Sequence, residues 1–66
     1  MSANNFILIR QVKTNLFMVE EIDMESEVLL DNIGAYWGAL EALTAAADFM
    51  YENEVEGGIS FRKYTA

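Results

Sequence analysis

The side chains that could do chemistry in this sequence are carboxylates, because it contains no histidine and no cysteine. Glu21 and Asp23 are two residues apart. On a strand they would share one face at roughly 6.8 Å, a separation within the range at which carboxylate pairs hydrolyse glycosidic bonds. A chain of 66 residues has little volume for both a core and a cleft of about 300 Å³. We therefore expect these acids to lie on a solvated strand face and the protein not to be an enzyme.

A second pattern of acids resembles the start of a calcium-binding loop. Asp23, Glu25 and Glu27 occupy its first, third and fifth positions. Such a loop also needs a glycine at its sixth position and a glutamate at its twelfth, where this chain has Val28 and Gly34. We therefore expect no metal site, and nothing in the sequence indicates a cofactor.

Charge falls into three blocks along the chain. Residues 1–19 and residues 57–66 each carry +2, whereas residues 20–56 hold all eleven acids and no base. A chain with a net charge of −7 repels phosphate, so we expect no direct binding of nucleic acid. Asp48 and Glu52 would repel each other at i,i+4 of a helix, by a few tenths of a kcal/mol. Such a conflict with a local rule is typical of functional surfaces.

The acidic block also contains the single tryptophan. On a helical wheel Trp37 falls beside Glu41 and Asp48, and tryptophan is enriched at the hot spots of protein interfaces. Acids steer basic partners toward a surface and pair there with arginine and lysine. The sequence therefore predicts a partner-binding surface made of Glu20, Glu21, Asp23, Glu25, Trp37, Glu41, Asp48 and Glu52. The alternative is that these acids serve only solubility.

Five segments must position these residues. Apolar and β-branched runs predict antiparallel strands at residues 5–10 and 15–24, joined by a short turn. A run without proline and rich in alanine predicts a helix over residues 37–53. Alternation after two glycines predicts a last strand at residues 59–64. Residues 26–36 fit either a loop or helical turn that leads into the helix, or a third strand.

These elements predict an α+β fold of order β-β-(β)-α-β in one domain of residues 1–66. We expect an antiparallel sheet of three or four strands with the helix on one face. The helix would pack through one apolar stripe, which consists of Tyr36, Leu40, Leu43, Ala47 and Met50 and is widened by Ala39, Ala46 and Phe49. One helix covers only one sheet face, so apolar surface remains for a partner. A homodimer that buries Ile7, Ile9 and Phe17 is one way to cover it.

The size of the chain, its acidity, its lack of cysteine and the acid-only stretch from Glu20 to Glu56 are similar to those of small acidic proteins encoded by bacteriophages and mobile elements. Those proteins include anti-CRISPR proteins and DNA mimics. The resemblance implies an inhibitor that binds a basic, nucleic-acid-binding protein in the host cytoplasm. A cytoplasmic location also fits the absence of a signal sequence and of an apolar stretch of about 20 residues. The alternative function is a homodimeric structural or adaptor subunit.

Overall fold

The computed structural model describes residues 4–64, which form four strands and one helix. In chain order these are β1 (Asn5–Lys13), β2 (Leu16–Asp23), β3 (Leu29–Trp37), α1 (Ala39–Asn53) and β4 (Ile59–Arg62). The strands lie side by side in the order β3-β2-β1-β4. This arrangement confirms the predicted α+β fold and shows that residues 29–37 are a third strand.

Two hairpins build most of the sheet. β1 and β2 are antiparallel across a two-residue turn at Thr14 and Asn15, and β2 and β3 are antiparallel across the turn at residues 24–28. β3 is hard to recognise in the sequence because its pairing with β2 shifts register twice, between Val19 and Glu20 and again between Glu21 and Ile22. Each shift interrupts the two-residue alternation by which strands are recognised.

The last strand makes the sheet mixed instead of antiparallel. β4 pairs with β1 in parallel, with Ile7 opposite Ile59 and Arg10 opposite Arg62. The helix accounts for this direction. α1 carries the chain back toward the end of the sheet where β3 begins, so β4 runs in the same direction as β3 and β1. The bases of the first and last strands thereby become neighbours.

The core lies between α1 and one face of the sheet. Ile7 and Val19 have no exposed surface, and neither have Ala42 and Ala46 on the helix. The helix therefore packs through its alanines, whose small side chains allow a close approach to the branched side chains of the sheet. Tyr36, Phe49 and Met50 pack at the border of this core.

The helix is rotated about its axis relative to the prediction, so the centre of the predicted stripe does not face the sheet. Leu40 and Leu43 were expected to be buried, but their exposed fractions are 76% and 47%, and Ala47 is exposed as well. A helix with two candidate apolar faces buries the one that fits its neighbour, and here Ala42 and Ala46 lie over the bulky sheet residues, with Phe49 and Met50 at the border. Of the predicted stripe, Ala46 lies in the core and Tyr36, Phe49 and Met50 pack against it.

The connection from α1 to β4 is held tightly against β1. Gly57 N–H donates to the Asn5 carbonyl at 2.9 Å, and Ile7 N–H donates to the Gly58 carbonyl at 2.9 Å. Val55, in the same connection, is buried with the core. These contacts align β4 for its parallel pairing with β1.

The sheet face opposite the helix has no covering element among residues 4–64. Successive side chains of a strand point to opposite faces of the sheet. The side chains of β1 and β2 that alternate with those of the core cluster therefore point to this uncovered face. We call this surface the open face; its central residues are Phe6, Leu8, Arg10, Met18, Glu20 and Ile22. Ile7, Ile9 and Phe17 lie on the covered face, so the prediction that a second copy buries these three residues is wrong.

Candidate protein-interaction surface

Two of the acids predicted to bind a partner are buried. The exposed fractions of Glu20 and Glu21 are 6% and 9%, and their neighbouring positions on β2 place them on opposite faces of the sheet. Glu20 accepts hydrogen bonds from Arg10 Nη2 at 3.0 Å and from Arg10 Nε at 3.2 Å. Glu21 accepts one from Asn5 Nδ2 at 2.9 Å. Both carboxylates are thus engaged within the protein, and we remove them from the predicted binding surface.

Arg10 and Glu20 form the one ion pair between side chains of residues 4–64. Its fork-like geometry, with two nitrogens on two carboxylate oxygens, is the strong form of this interaction. The hydrogen bond to Glu20 raises the pKa of Arg10 and outweighs the opposing effect of burial. The pair therefore places two charges on the open face without leaving either one unpaired.

We expect Glu20→Ala to lower the free energy of unfolding by about 1–2 kcal/mol. Loss of one partner from a fully buried pair costs roughly 3–5 kcal/mol, but the Arg10 side chain is 38% exposed and regains water. Glu25→Ala removes an exposed acid as its control and should change stability by less than about 0.5 kcal/mol. Urea unfolding followed by Trp37 fluorescence measures both. Equal stabilities would show that Glu20 has no structural role.

Asp23 and Glu25 belong to the turn between β2 and β3. Asp23 Oδ2 accepts hydrogen bonds from Ser26 Oγ at 2.5 Å and from Ser26 N–H at 3.0 Å. These bonds hold the pKa of Asp23 below its ordinary value. Asp23 thus stabilises its own turn, whereas Glu25 projects into solvent. The structure places this turn at one end of the sheet, away from the middle of the helix.

Trp37 is the last residue of β3 and precedes the helix, which begins at Ala39. It is not part of the helical wheel that the sequence suggested. Tyr36 packs against the core, so strand alternation directs Trp37 to the opposite side, at the rim of the open face, where it pairs with Leu16. Its exposed fraction is 67%. Trp37 is therefore separated from Glu41 and Asp48 by the sheet.

The three predicted acids of the helix do form one surface. Glu41, Asp48 and Glu52 are exposed, and their spacing of seven and four residues aligns them along one side of α1. Glu41 and Asp48 line a shallow groove of about 410 Å³ between α1 and β3, together with Tyr36, Leu40, Thr44 and Ala45. No lysine or arginine of residues 4–64 pairs with them.

Beside this row lies an exposed apolar stripe, of which Leu40, Leu43 and Ala47 were expected to be buried. Tyr51 is 87% exposed and Leu40 is 76% exposed, and with Leu43 and Ala47 they run along the side of α1 that points away from the sheet. The sequence contained a signal for this exposure, since Ala42 and Ala46 form a competing small-residue stripe at i,i+4. We call the combined surface the outer helix face; it consists of Leu40, Glu41, Leu43, Ala47, Asp48, Tyr51 and Glu52.

Basic side chains gather at the opposite edge of the sheet. The parallel pairing of β1 with β4 brings Arg10 and Arg62 together, and both line a groove of about 350 Å³ with Lys63 and Tyr64. The acidic row of α1 lies toward β3, at the other edge. The protein thus has an acidic side and a basic side.

Between residues 4 and 64, no three acidic, histidine or cysteine side chains lie close enough to hold a metal ion. The helix of this part of the chain is not long and apolar enough to cross a membrane.

No protein-family model, no curated protein and no solved structure matches the chain. Among the surfaces of the protein, the outer helix face combines the predicted acids with exposed aromatic and aliphatic side chains.

Proposed function

We propose that this chain is a non-enzymatic interaction module that binds a basic protein through its outer helix face. The single observation that carries the proposal is the position of Glu41, Asp48 and Glu52 beside the exposed side chains of Leu40 and Tyr51. An apolar stripe with acids along one side is complementary to a partner that has apolar anchors flanked by arginine or lysine. The proposal extends to a phage-type inhibitor, whose carboxylates replace phosphates on a nucleic-acid-binding protein of the host cytoplasm.

The energetics of the helix support this proposal. Asp48 and Glu52 repel each other at i,i+4, and the last turn of α1 holds no base to interact with the helix dipole. Exposure of Leu40 and Tyr51 to water is unfavourable by about 25 cal/mol for each Å² of apolar surface. A basic, partly apolar partner would offset the repulsion between the acids, supply the missing positive charge near the end of the helix and remove the apolar side chains from water. Solubility alone would explain the acids but not the apolar side chains beside them.

The test begins with a partner captured on the immobilised protein from a bacterial lysate and eluted by salt. Its affinity is then measured from about 0.01 M to about 1 M ionic strength, over which the Debye length falls from roughly 30 Å to 3 Å. We expect the affinity to fall continuously across this series, because surface charges steer and hold the partner. An affinity that ionic strength leaves unchanged contradicts the proposal.

Two matched variants locate the binding surface. Glu41→Gln/Asp48→Asn/Glu52→Gln removes three charges from the helix, and Glu25→Gln/Asp31→Asn/Glu56→Gln removes three exposed charges elsewhere. With about 0.5 kcal/mol for each surface ion pair, the helix variant should bind roughly tenfold more weakly. The control variant should retain most of the affinity because its acids do not contact the partner. Equal losses would show that only net charge matters.

The apolar stripe has its own variant. Tyr51→Ala should weaken binding by at least about 1 kcal/mol, as expected for an aromatic anchor. Tyr64→Ala, at the basic edge of the sheet, is the control and should leave the affinity unchanged. Isothermal titration calorimetry of both variants distinguishes an anchored complex from one held by charge alone.

A further inference from the structure

The open face of the sheet is a second unpartnered surface, and it differs from the outer helix face in its charge. Arg10 is paired with Glu20 at its centre. Arg62 and Glu27 line a cavity of about 170 Å³ over Phe6, Leu8 and Ile22. Two bases and two acids therefore balance on a face of a protein whose net charge is −7.

The remaining side chains of the open face are apolar. Leu8 and Ile22 are already buried among their neighbours on the sheet, Phe6 and Met18 are half-buried, and Trp37 is 67% exposed at the rim. The apolar surface that this face leaves in water therefore belongs mainly to Phe6, Met18 and Trp37, and exposed apolar patches mark interaction sites. The Arg10–Glu20 pair at its centre brings no unpaired charge to the face, and the guanidinium donors that Glu20 does not bind, on a side chain 38% exposed, stay open to water or to acceptors of a covering partner.

We propose that a second copy of this chain covers the open face, giving a symmetric dimer with the layer order helix, sheet, sheet, helix. The distribution of charge over the surface favours a second copy over a basic partner at the open face. Two acidic copies repel each other through every surface that carries the acid excess, whereas the open face is neutral and self-complementary. A basic partner gains nothing from a neutral face and is attracted to the acids of α1.

The size of the open face fits this occupant. The protein measures 33 × 23 × 15 Å, and the shortest dimension is the thickness of one helix on one sheet. The broad side of the protein has an outline of at most roughly 750 Å², so a second copy that covered all of the open face would approach the approximately 800 Å² per partner of a stable interface. Two such faces would pack at about 10 Å, as in other stacked sheets. Both outer helix faces would then remain free on opposite sides of the dimer.

Sedimentation equilibrium of the protein alone tests the dimer. We expect twice the chain mass of 7.5 kDa, unchanged by added salt because the interface is neutral. Met18→Glu places a carboxylate at the centre of the open face and should weaken the dimer by about 100-fold or more. The matched control Leu43→Glu adds the same charge to the outer helix face and should keep the dimer mass.

Circular dichroism shows whether Met18→Glu folds. If it does not, the fluorescence of Trp37 in the wild-type protein tests the dimer instead. Trp37 is the single tryptophan and lies at the rim of the open face, so dimerisation removes it from water. On dilution of the wild-type protein its emission should shift to longer wavelength in step with the loss of dimer mass. A Trp37 emission that stays constant through dissociation of a dimer would overturn the proposal.

Three mass results would also overturn it. A chain that is monomeric at every concentration leaves the open face to a different protein. A dimer that survives Met18→Glu but not Leu43→Glu is formed by helix faces, and one that survives both variants is formed by strand edges. Only the dimer formed by helix faces would bear on the binding of a basic partner, because it would compete for the outer helix face; the other two results leave the proposed function untouched.

Discussion

Gly57→Ala should leave the protein largely unfolded at room temperature. A Cβ atom at this position would lie 2.1 Å from the Asn5 carbonyl oxygen and 2.7 Å from Met24 Cε. The methionine end can move, but the carbonyl cannot, because it accepts the Gly57 N–H bond at 2.9 Å. The clash therefore separates the α1–β4 connection from β1. We expect a loss of at least about 3 kcal/mol, comparable to the roughly 3–5 kcal/mol that a core of this size supplies.

The adjacent glycine is the matched control for this prediction. A Cβ on Gly58 would meet nothing within 4 Å, but its φ of +82° lies in the left-handed region. Gly58→Ala should therefore cost about 1–2 kcal/mol from backbone strain alone. Urea unfolding followed by circular dichroism compares the two variants. If Gly57→Ala is as stable as Gly58→Ala, the connection is not held against β1 as described.

Ile7→Ala should cost about 2–5 kcal/mol, the range observed when a buried branched side chain is truncated. Ile7 has no exposed surface, and its strand is paired on both sides, with β2 and with β4. Neighbours on two strands and on the helix cannot all move to fill the resulting cavity. The variant should therefore lose most of its cooperative unfolding transition.

Leu30→Ala removes the same number of carbon atoms from a side chain that is 50% exposed on β3. Its expected effect is less than about 0.5 kcal/mol. Thermal unfolding of the two variants at equal protein concentration gives the comparison. A similar loss in both would mean that β3 is packed more tightly than its exposure indicates.

The outcome for the candidate surface shows which inferences a linear pattern supports. Glu41, Asp48 and Glu52 were grouped correctly, because spacings of four and seven residues place side chains together on any helix. Glu20 and Glu21 were grouped wrongly with them. Their burial depends on Arg10 and Asn5, which lie on the neighbouring strand, and a sequence does not show which side chains meet across a sheet.

The helix illustrates the same limit for apolar residues. Its existence followed from propensity, since alanine-rich segments without proline form helices. The rotation of the helix about its axis does not follow from propensity, because the stripe through Leu40 and the stripe through Ala42 are both apolar. Leucine is the more hydrophobic choice, but the sheet beneath the helix already fills the core with Ile7, Ile9 and Phe17. Close packing against these side chains therefore favours burial of the alanine stripe over burial of the leucine stripe.

The sequence by itself determined β1, β2, the helix and β4, the order of these four elements, and the separation of charge into a central acidic block flanked by bases; it left β3 open. These properties depend on local propensity and on composition, which each segment carries alone. The tertiary structure decided which faces are covered, the parallel direction of β4, the pairing of Arg10 with Glu20 and the exposure of Leu40 and Tyr51. These properties depend on contacts between residues far apart in the chain, where shape and volume select among faces that hydrophobicity alone leaves equivalent.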